Sequence, residues 1–245
     1  MTHKTEAIVL KSVKYGETSL IVTAFTEIFG IQTFIINGVR TSKKGSSKYS
    51  LFQPAAILEL DIYYNDLKSI HRIKESGWNV LYKNIFSSVI KNGIALFMIE
   101  LITKSLKQPE QNPDLFYFLK DALVQLDEAP DSIASNIPLY FALHLSYFFG
   151  LRLSTPDASK EIFYLDFLEG GFVDQQPSHK HFLDVEDSQL TSELLKVMQL
   201  SELENFKLNG KKRNFLLQKY IEYYSIHIQG LGEMKTLQVL TQLIS

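Results

Sequence analysis

Five short β-branched runs in the first ~75 residues, then helical periodicity from about Val80, predict an α+β chain. A small closed barrel precedes a mostly α-helical region. Residues 151–184 lose all periodicity around "STPDAS", "EGGF" and "QQPSHKHF", so an irregular insertion interrupts the helices. The expected division is 1–79 for the barrel and 80–245 for the helical domain, with the insertion at about 151–184.

The strands follow in order. "TEAIVLKSVK" and "TSLIVTAF" are separated by the turn-like "YGE", and "IQTFIIN" follows the break at Gly30. "ILELDIYY" alternates, with Leu58, Leu60 and Ile62 on one face and Glu59 and Asp61 on the other. "LKSIHRIK" is the candidate fifth strand. Five strands in so short a span suit an OB-fold, and an SH3-like barrel fits the pattern nearly as well.

The helices are as legible. Ile85, Val89, Leu96 and Ile99 open a long buried helix in which Gly93 is out of place. Pro113-Asp114 starts a second helix, with Leu115, Leu119, Leu123 and Leu126 at spacings of four and three. "IPLYFALHLSYFFG" is apolar all round and predicts a core helix ending at Gly150. Helices resume near Asp187 and break at Gly230–Gly232.

The net charge of −2 gives no global reason to bind an anionic polymer. Its distribution does: residues 1–80 carry ten Lys+Arg against seven Asp+Glu, while the rest of the chain is acidic. From Ile28 through Leu58 there is no carboxylate, yet the Gly/Ser-rich stretch there holds Arg40, Lys43, Lys44 and Lys48, with Tyr49 and Phe52 alongside. Cations beside aromatics are the combination that grips a single nucleic-acid strand, phosphates on the cations and bases on the rings. A solvated loop is the plain alternative. A second cluster, Lys207, Lys211, Lys212, Arg213 and Lys219, lies in a stretch free of carboxylates from Asn205 to Ile221. It is either a solvated helix face or a cationic rim for DNA or an acidic peptide.

Cysteine is absent, which excludes disulfides, thiolate metal sites and a cysteine nucleophile. His179 and His181 near Asp174 and Asp184 are too few for a metal site, and none is expected. No HExxH, GxSxG, Walker or dinucleotide-binding motif occurs, so no catalytic residues and no cofactor are assigned. Asp127–Glu128 beside Pro130 has the look of a solvated surface loop. The N-terminal stretch has no signal-peptide pattern, and no apolar run suits a membrane span. A soluble cytoplasmic protein is expected.

Five short motifs then coincide in order: "TEAIVL" at Thr5–Leu10, "YGETS" at Tyr15–Ser19, "FTEIFG" at Phe25–Gly30, "GVR" at Gly38–Arg40 and "LFQP" at Leu51–Pro54. Together with the closing "RNFLLQKYIEYYSIHIQGLGEMKTLQVLTQL", they make the chain resemble RecO, the bacterial recombination mediator family. The resemblance implies an OB-fold ahead of a helical domain. It also implies binding of single- and double-stranded DNA, annealing of complementary strands, and recombinase loading onto strands coated by single-stranded DNA-binding protein. RecR and the acidic tail of the single-stranded DNA-binding protein are the implied protein partners. Cofactor and enzymatic activity are not implied, and the setting is the nucleoid-associated cytoplasm.

Under this resemblance Arg40, Lys43, Lys44, Lys48 and Tyr49 lie on or beside the DNA surface, with Lys11, Lys14, Lys68 and Arg72 as secondary candidates. Lys207, Lys211, Lys212, Arg213 and Lys219 become the tentative partner rim. Many family members carry a four-cysteine zinc module near the "GG" segment, whereas Ser154–Phe182 here contains no thiol. A zinc-free remnant held by Phe163, Phe167 and Phe172 is expected. The rival readings are an RNA-binding or ribosome-associated barrel protein and a metal-dependent nuclease, the latter without a convincing carboxylate set.

Overall fold

A computed structural model describes residues 2–39, 46–106, 110–153 and 162–244, with the backbone alone at 46–48. The chain divides into two compact units: 1–86 with 106–127, and 87–105 with 128–245.

The first unit holds the barrel. Its elements are β1 (Thr2–Tyr15), β2 (Ser19–Thr26), β3 (Gly30–Ile36), α1 (Ser46–Leu51), β4 (Ile57–Tyr63) and β5 (His71–Trp78). The strands close in the order β1-β2-β3-β5-β4. Every pairing is antiparallel except β3 with β5, which is parallel. This is the order of an OB-fold, and it decides against the SH3-like alternative. Inward residues are small or branched apart from one ring: Ala7 and Val9 of β1, Leu20, Val22 and Ala24 of β2, Phe34 of β3, and Leu58, Leu60 and Ile62 of β4. The alternation read in "ILELDIYY" therefore sets the inner face of β4, as its sequence predicts.

The outer face is not uniformly wet. Ile8, Phe25 and Ile57 point outward in register with one another and are fully buried. Their cover is a helix from further along the chain. After α2 (Val89–Ser105), α3 (Pro113–Glu128) lies on the barrel: Phe116 meets Phe25 edge-on at 5.6 Å, and Lys120 Nζ reaches Glu6 Oε2 at 2.5 Å. Burial on both faces explains why "AIVL" reads as a continuous apolar run. Asp127 near the end of α3 is buried, contrary to the solvated loop expected for it. Its carboxylate accepts the backbone N–H groups of Lys83, Asn84 and Ile85 at 2.7–2.8 Å. Phe52, expected to stack on bases, is also buried, as part of the barrel core.

The second unit is mostly helical: α2, α4 (Asp131–Ala134), α5 (Ile137–Leu145), α6 (Val185–Lys196), α7 (Gly210–His227) and α8 (Lys235–Leu243). The α5 segment is buried nearly all round, as its apolar sequence requires. On α2 the buried set is Ile94, Ala95, Phe97, Met98, Ile99, Leu101 and Ile102, while Val89 is exposed. A periodicity that starts at Ile85 is thus out of phase with the helix, because Ile85 is buried ahead of it. Gly93 has a packing reason: a Cβ there would stand 2.7 Å from Leu243 Cδ1 of α8.

The insertion between α5 and α6 is ordered rather than irregular over its described part. β6 (Tyr164–Asp166) pairs with β7 (Gly171–Val173) and β8 (Phe182–Leu183) in a three-stranded antiparallel sheet. Strands of two and three residues carry too little alternation to be read from sequence. Among the described residues, no helix is long and apolar enough to cross a membrane.

Candidate nucleic-acid interface

A β-bulge fixes which side chains of β1 face solvent. Pairing with β2 is regular up to Val9↔Ala24 and resumes at Lys11↔Thr23, so Leu10 is the extra residue. A strand without the bulge would turn Lys11, Val13 and Tyr15 inward. With it, Lys11 pairs beside Thr23 and Val13 beside Ile21, both on the outer face. Lys14 pairs with buried Leu20 and is exposed at the barrel's rim.

The same register carries one row across five strands: Val13↔Ile21, Ile21↔Ile35, Ile35↔Arg72 and Arg72↔Tyr63. At the strand spacing of a sheet the row runs roughly 20 Å along the barrel surface. Val13 is 45% exposed and Tyr63 52%, and Arg72 is exposed between Ile35 and Tyr63. Tyr15, 54% exposed, begins the next row beside Ser19, whose hydroxyl donates to Asn37 Oδ1. Apolar and aromatic groups flanked by Lys11 and Arg72 form a platform suited to bases with phosphates at its edges.

The β4–β5 connection deepens one end of this platform. Tyr63, Tyr64, Asn65, Lys68, Ile70, His71 and Arg72 with Ile35 enclose an open cleft of about 610 Å³. Its wall is rigid because Tyr64 stacks on Phe29 at 3.9 Å and on His71 at 4.9 Å. Burial holds the His71 imidazole below its usual pKa, with Asp66 opposing and Lys68 reinforcing the shift, so the ring is neutral near pH 7. Burial, then Asp66, pushes the Tyr64 hydroxyl up. Among the described residues, none of Lys11, Lys14, Lys68 and Arg72 is in an ion pair.

Further along the outer face of β4 and β5, beyond Tyr63 and Arg72, the sign changes. Glu59, Asp61 and Glu75 line a shallow pocket with Lys4, and Lys74 Nζ sits 3.0 Å from Asp61.

Of the loop candidates, Arg40, Lys43 and Lys44 lie outside the described residues, and Lys48 lies on α1 with only its backbone described. Tyr49 follows on α1 and is 45% exposed. The platform residues Val13, Ile21, Ile35 and Tyr63 escaped sequence reasoning. The only signal for them was β-branched character, which core strands share.

In the helical unit the second basic cluster comes apart. Lys212 Nζ lies 2.8 Å from Glu186 and 2.6 Å from Asp187, and those two carboxylates push its pKa up to about 12. Arg213 is a structural clamp, donating to Asn136 Oδ1 and to the carbonyls of Ile244 and Leu208 at 2.6–3.1 Å. Lys219 pairs with Glu222 at 2.9 Å and lies over the Phe167 ring. Lys207 and Lys211 alone of the five are exposed. They share a cleft of about 550 Å³ with Leu208, Lys212, the 41% exposed Phe215 and the carboxylates Glu186 and Asp187.

The described residues of the insertion do not fit zinc. His179 Nδ1 accepts the backbone N–H of His181, so Nε2 carries the proton and donates to Asp166 at 3.1 Å. His181 Nδ1 is 2.7 Å from Glu222. Both imidazoles are already spent on carboxylates, and their ring centres stand 6.2 Å apart. Aromatic packing joins the sheet instead: Phe163 meets Phe172 edge-on at 5.3 Å, and buried Phe167 lies against Tyr223.

Two family patterns match the sequence, "Recombination protein O N terminal" over residues 1–78 and "Recombination protein O C terminal" over residues 87–236. Full-length relatives agree. A protein of Azobacteroides pseudotrichonymphae called DNA repair protein RecO is 32% identical over 240 residues, 98% of each chain. Proteins of the same name from Phocaeicola vulgatus and Flavobacterium johnsoniae are each 31% identical over the whole of both chains. With both patterns present in order, and relatives matched end to end, this chain belongs to the RecO family.

Proposed function

We propose that this protein is a DNA-repair mediator whose barrel binds single- and double-stranded DNA and anneals complementary strands. Together with RecR, it helps load recombinase onto strands coated by single-stranded DNA-binding protein. The observation that carries the reading is the outer row Val13–Ile21–Ile35–Arg72–Tyr63, with Lys11 and Lys68 at its margins. Bases rest on a surface with no hydrogen-bond code, so sequence is not read. Phosphates meet cations that have no carboxylate partner among the described residues. Neutralising two strands at once lowers their mutual repulsion, and complementary bases then find one another.

Arg40, Lys43, Lys44 and Lys48 are further candidate phosphate contacts in this reading, and Tyr49 a further candidate ring. The partner's acidic, hydrophobic tail is assigned to the cleft of Lys207, Lys211 and Phe215, where the two lining carboxylates, Glu186 and Asp187, are paired with Lys212 and leave two exposed lysines beside an apolar ring. Lys212, Arg213 and Lys219 serve the fold there, so changing Lys212 or Arg213 is not a clean test of tail binding.

The experiment is annealing of two complementary oligonucleotides, naked and coated, with three proteins. Wild type should accelerate both reactions. The triple variant Lys11→Glu, Lys68→Glu, Arg72→Glu alters exposed side chains and should fold normally yet lose most of the acceleration. Lys211→Glu with Phe215→Ala should anneal naked strands normally but lag on coated ones. A wild type that accelerates neither reaction would refute the mediator reading. A triple variant as active as wild type would move the DNA site off the platform.

A further inference from the structure

The turn between β4 and β5 presents a side chain that packing does not explain. Leu67 is 95% exposed, above every other large apolar side chain described. The backbone fixes it there: Asn65 Oδ1 accepts the Leu67 N–H at 2.9 Å and the Asn65 carbonyl accepts the Lys68 N–H at 3.0 Å. An Asx turn of this kind is stiff, so the leucine stands out on a held backbone. Its neighbour Asp66 is turned to the Tyr64 hydroxyl. Lys68, Arg72, Tyr63 and the 45% exposed Ile70 line the cleft beside it.

A lone exposed leucine is ordinary. Here it stands beside a cleft lined by Ile70 and Tyr63, where the cations Lys68 and Arg72 outnumber the one carboxylate, Asp66, which is turned to Tyr64. Apolar side chains raised beside phosphate-binding cations are the means by which proteins part a base step and hold it open. Complementarity of charge therefore selects a nucleic acid as the occupant. The position at one end of the stacking row selects the place where stacking on protein gives way to stacking in a duplex.

We infer that Leu67 is a wedge that enters the base stack at the boundary between single- and double-stranded DNA. Lys68 and Arg72 hold the flanking phosphates, and Tyr63 receives the first unpaired base. The inference rests on the DNA-binding reading above and adds a residue that recognises the end of a growing duplex.

The test uses 2-aminopurine at the first pair of a duplex that carries a single-stranded tail. Wild type should raise the probe's emission, because a parted step is unstacked. Leu67→Ser should abolish the rise and weaken junction binding roughly tenfold, the scale of taking one leucine side chain out of an apolar interface. Binding to a plain single strand should change by less than about twofold, within the scale of a surface substitution. Leu67→Met should restore both signals. Equal emission with Leu67→Ser and wild type overturns the wedge. Tight strand binding by wild type without any rise also overturns it, while leaving the DNA reading intact. Failure of wild type to bind any oligonucleotide removes both. Unchanged DNA signals with Leu67→Ser, alongside weaker binding of an acidic peptide, assign the turn to a protein partner instead.

Discussion

Single residues in this chain divide between gripping outward and holding inward, and charge alone does not say which. Arg72 and Arg213 are both arginines in basic surroundings, yet the first is exposed in a cleft and the second has its guanidinium spent on three internal acceptors. Burial lowers the Arg213 pKa without discharging it, so its donors need those partners. Asp127 shows the same inward use for a carboxylate. Asp127→Ala leaves three backbone N–H groups without their acceptor and should cost about 3 kcal/mol of stability, at about 1 kcal/mol each. Asp127→Asn, which keeps one carbonyl oxygen, should cost less. Thermal melting checks this, and a midpoint within about 1 °C of wild type for Asp127→Ala would contradict the role.

Among the elements, α2 and α8 are joined by two devices. Glu100 of α2 accepts the Lys235 and Thr236 N–H groups and the Thr236 hydroxyl at 2.6–3.0 Å, filling the open donors at the start of α8. Burial by itself would raise the Glu100 pKa, but the bonds from Thr236 and Lys235 outweigh it and hold the carboxyl below its usual value. The second device is Gly93, which lets Leu243 approach. In an isolated helix Gly→Ala gains about 1 kcal/mol; here that gain meets a clash. Gly93→Ala should therefore give no net stabilisation. Placed in a Leu243→Ala background, which removes the clashing atoms, the same change should stabilise by about 1 kcal/mol. A double-mutant cycle by urea unfolding measures the coupling, and perfect additivity would mean that the two helices do not meet there.

For the molecule as a whole, a net charge of −2 supplies no net attraction to DNA. Binding has to come from a local surface, and its salt dependence counts the phosphates that surface engages. Each phosphate of a single strand that is no longer neutralised should flatten the slope of log K against log salt by about 0.7. Lys68→Gln with Arg72→Gln should thus reduce the slope by about 1.4, and Lys207→Gln with Lys211→Gln should leave it unchanged. Equal reductions from the two pairs would show that the helical unit shares the phosphate path.

By itself the sequence determined the number of barrel strands, the inner face of β4 and the buried stripe of α3, because period two and period 3.6 are local properties of the chain. It also carried the family motifs and the absence of thiols from the insertion. What needed the tertiary structure was everything set by neighbours distant in sequence. Leu10 becomes a bulge only against β2, and that bulge alone turns Lys11, Val13 and Tyr15 outward. Asp127 turns from an apparent surface carboxylate into an internal acceptor because residues 83–85 are brought to it. Lys212, Arg213 and Lys219 read as one basic patch, since a gap in local carboxylates says nothing of Glu186, Asp187 and the carbonyls that packing supplies. Charge spacing along a chain shows where cations are dense; only folding decides which of them have partners.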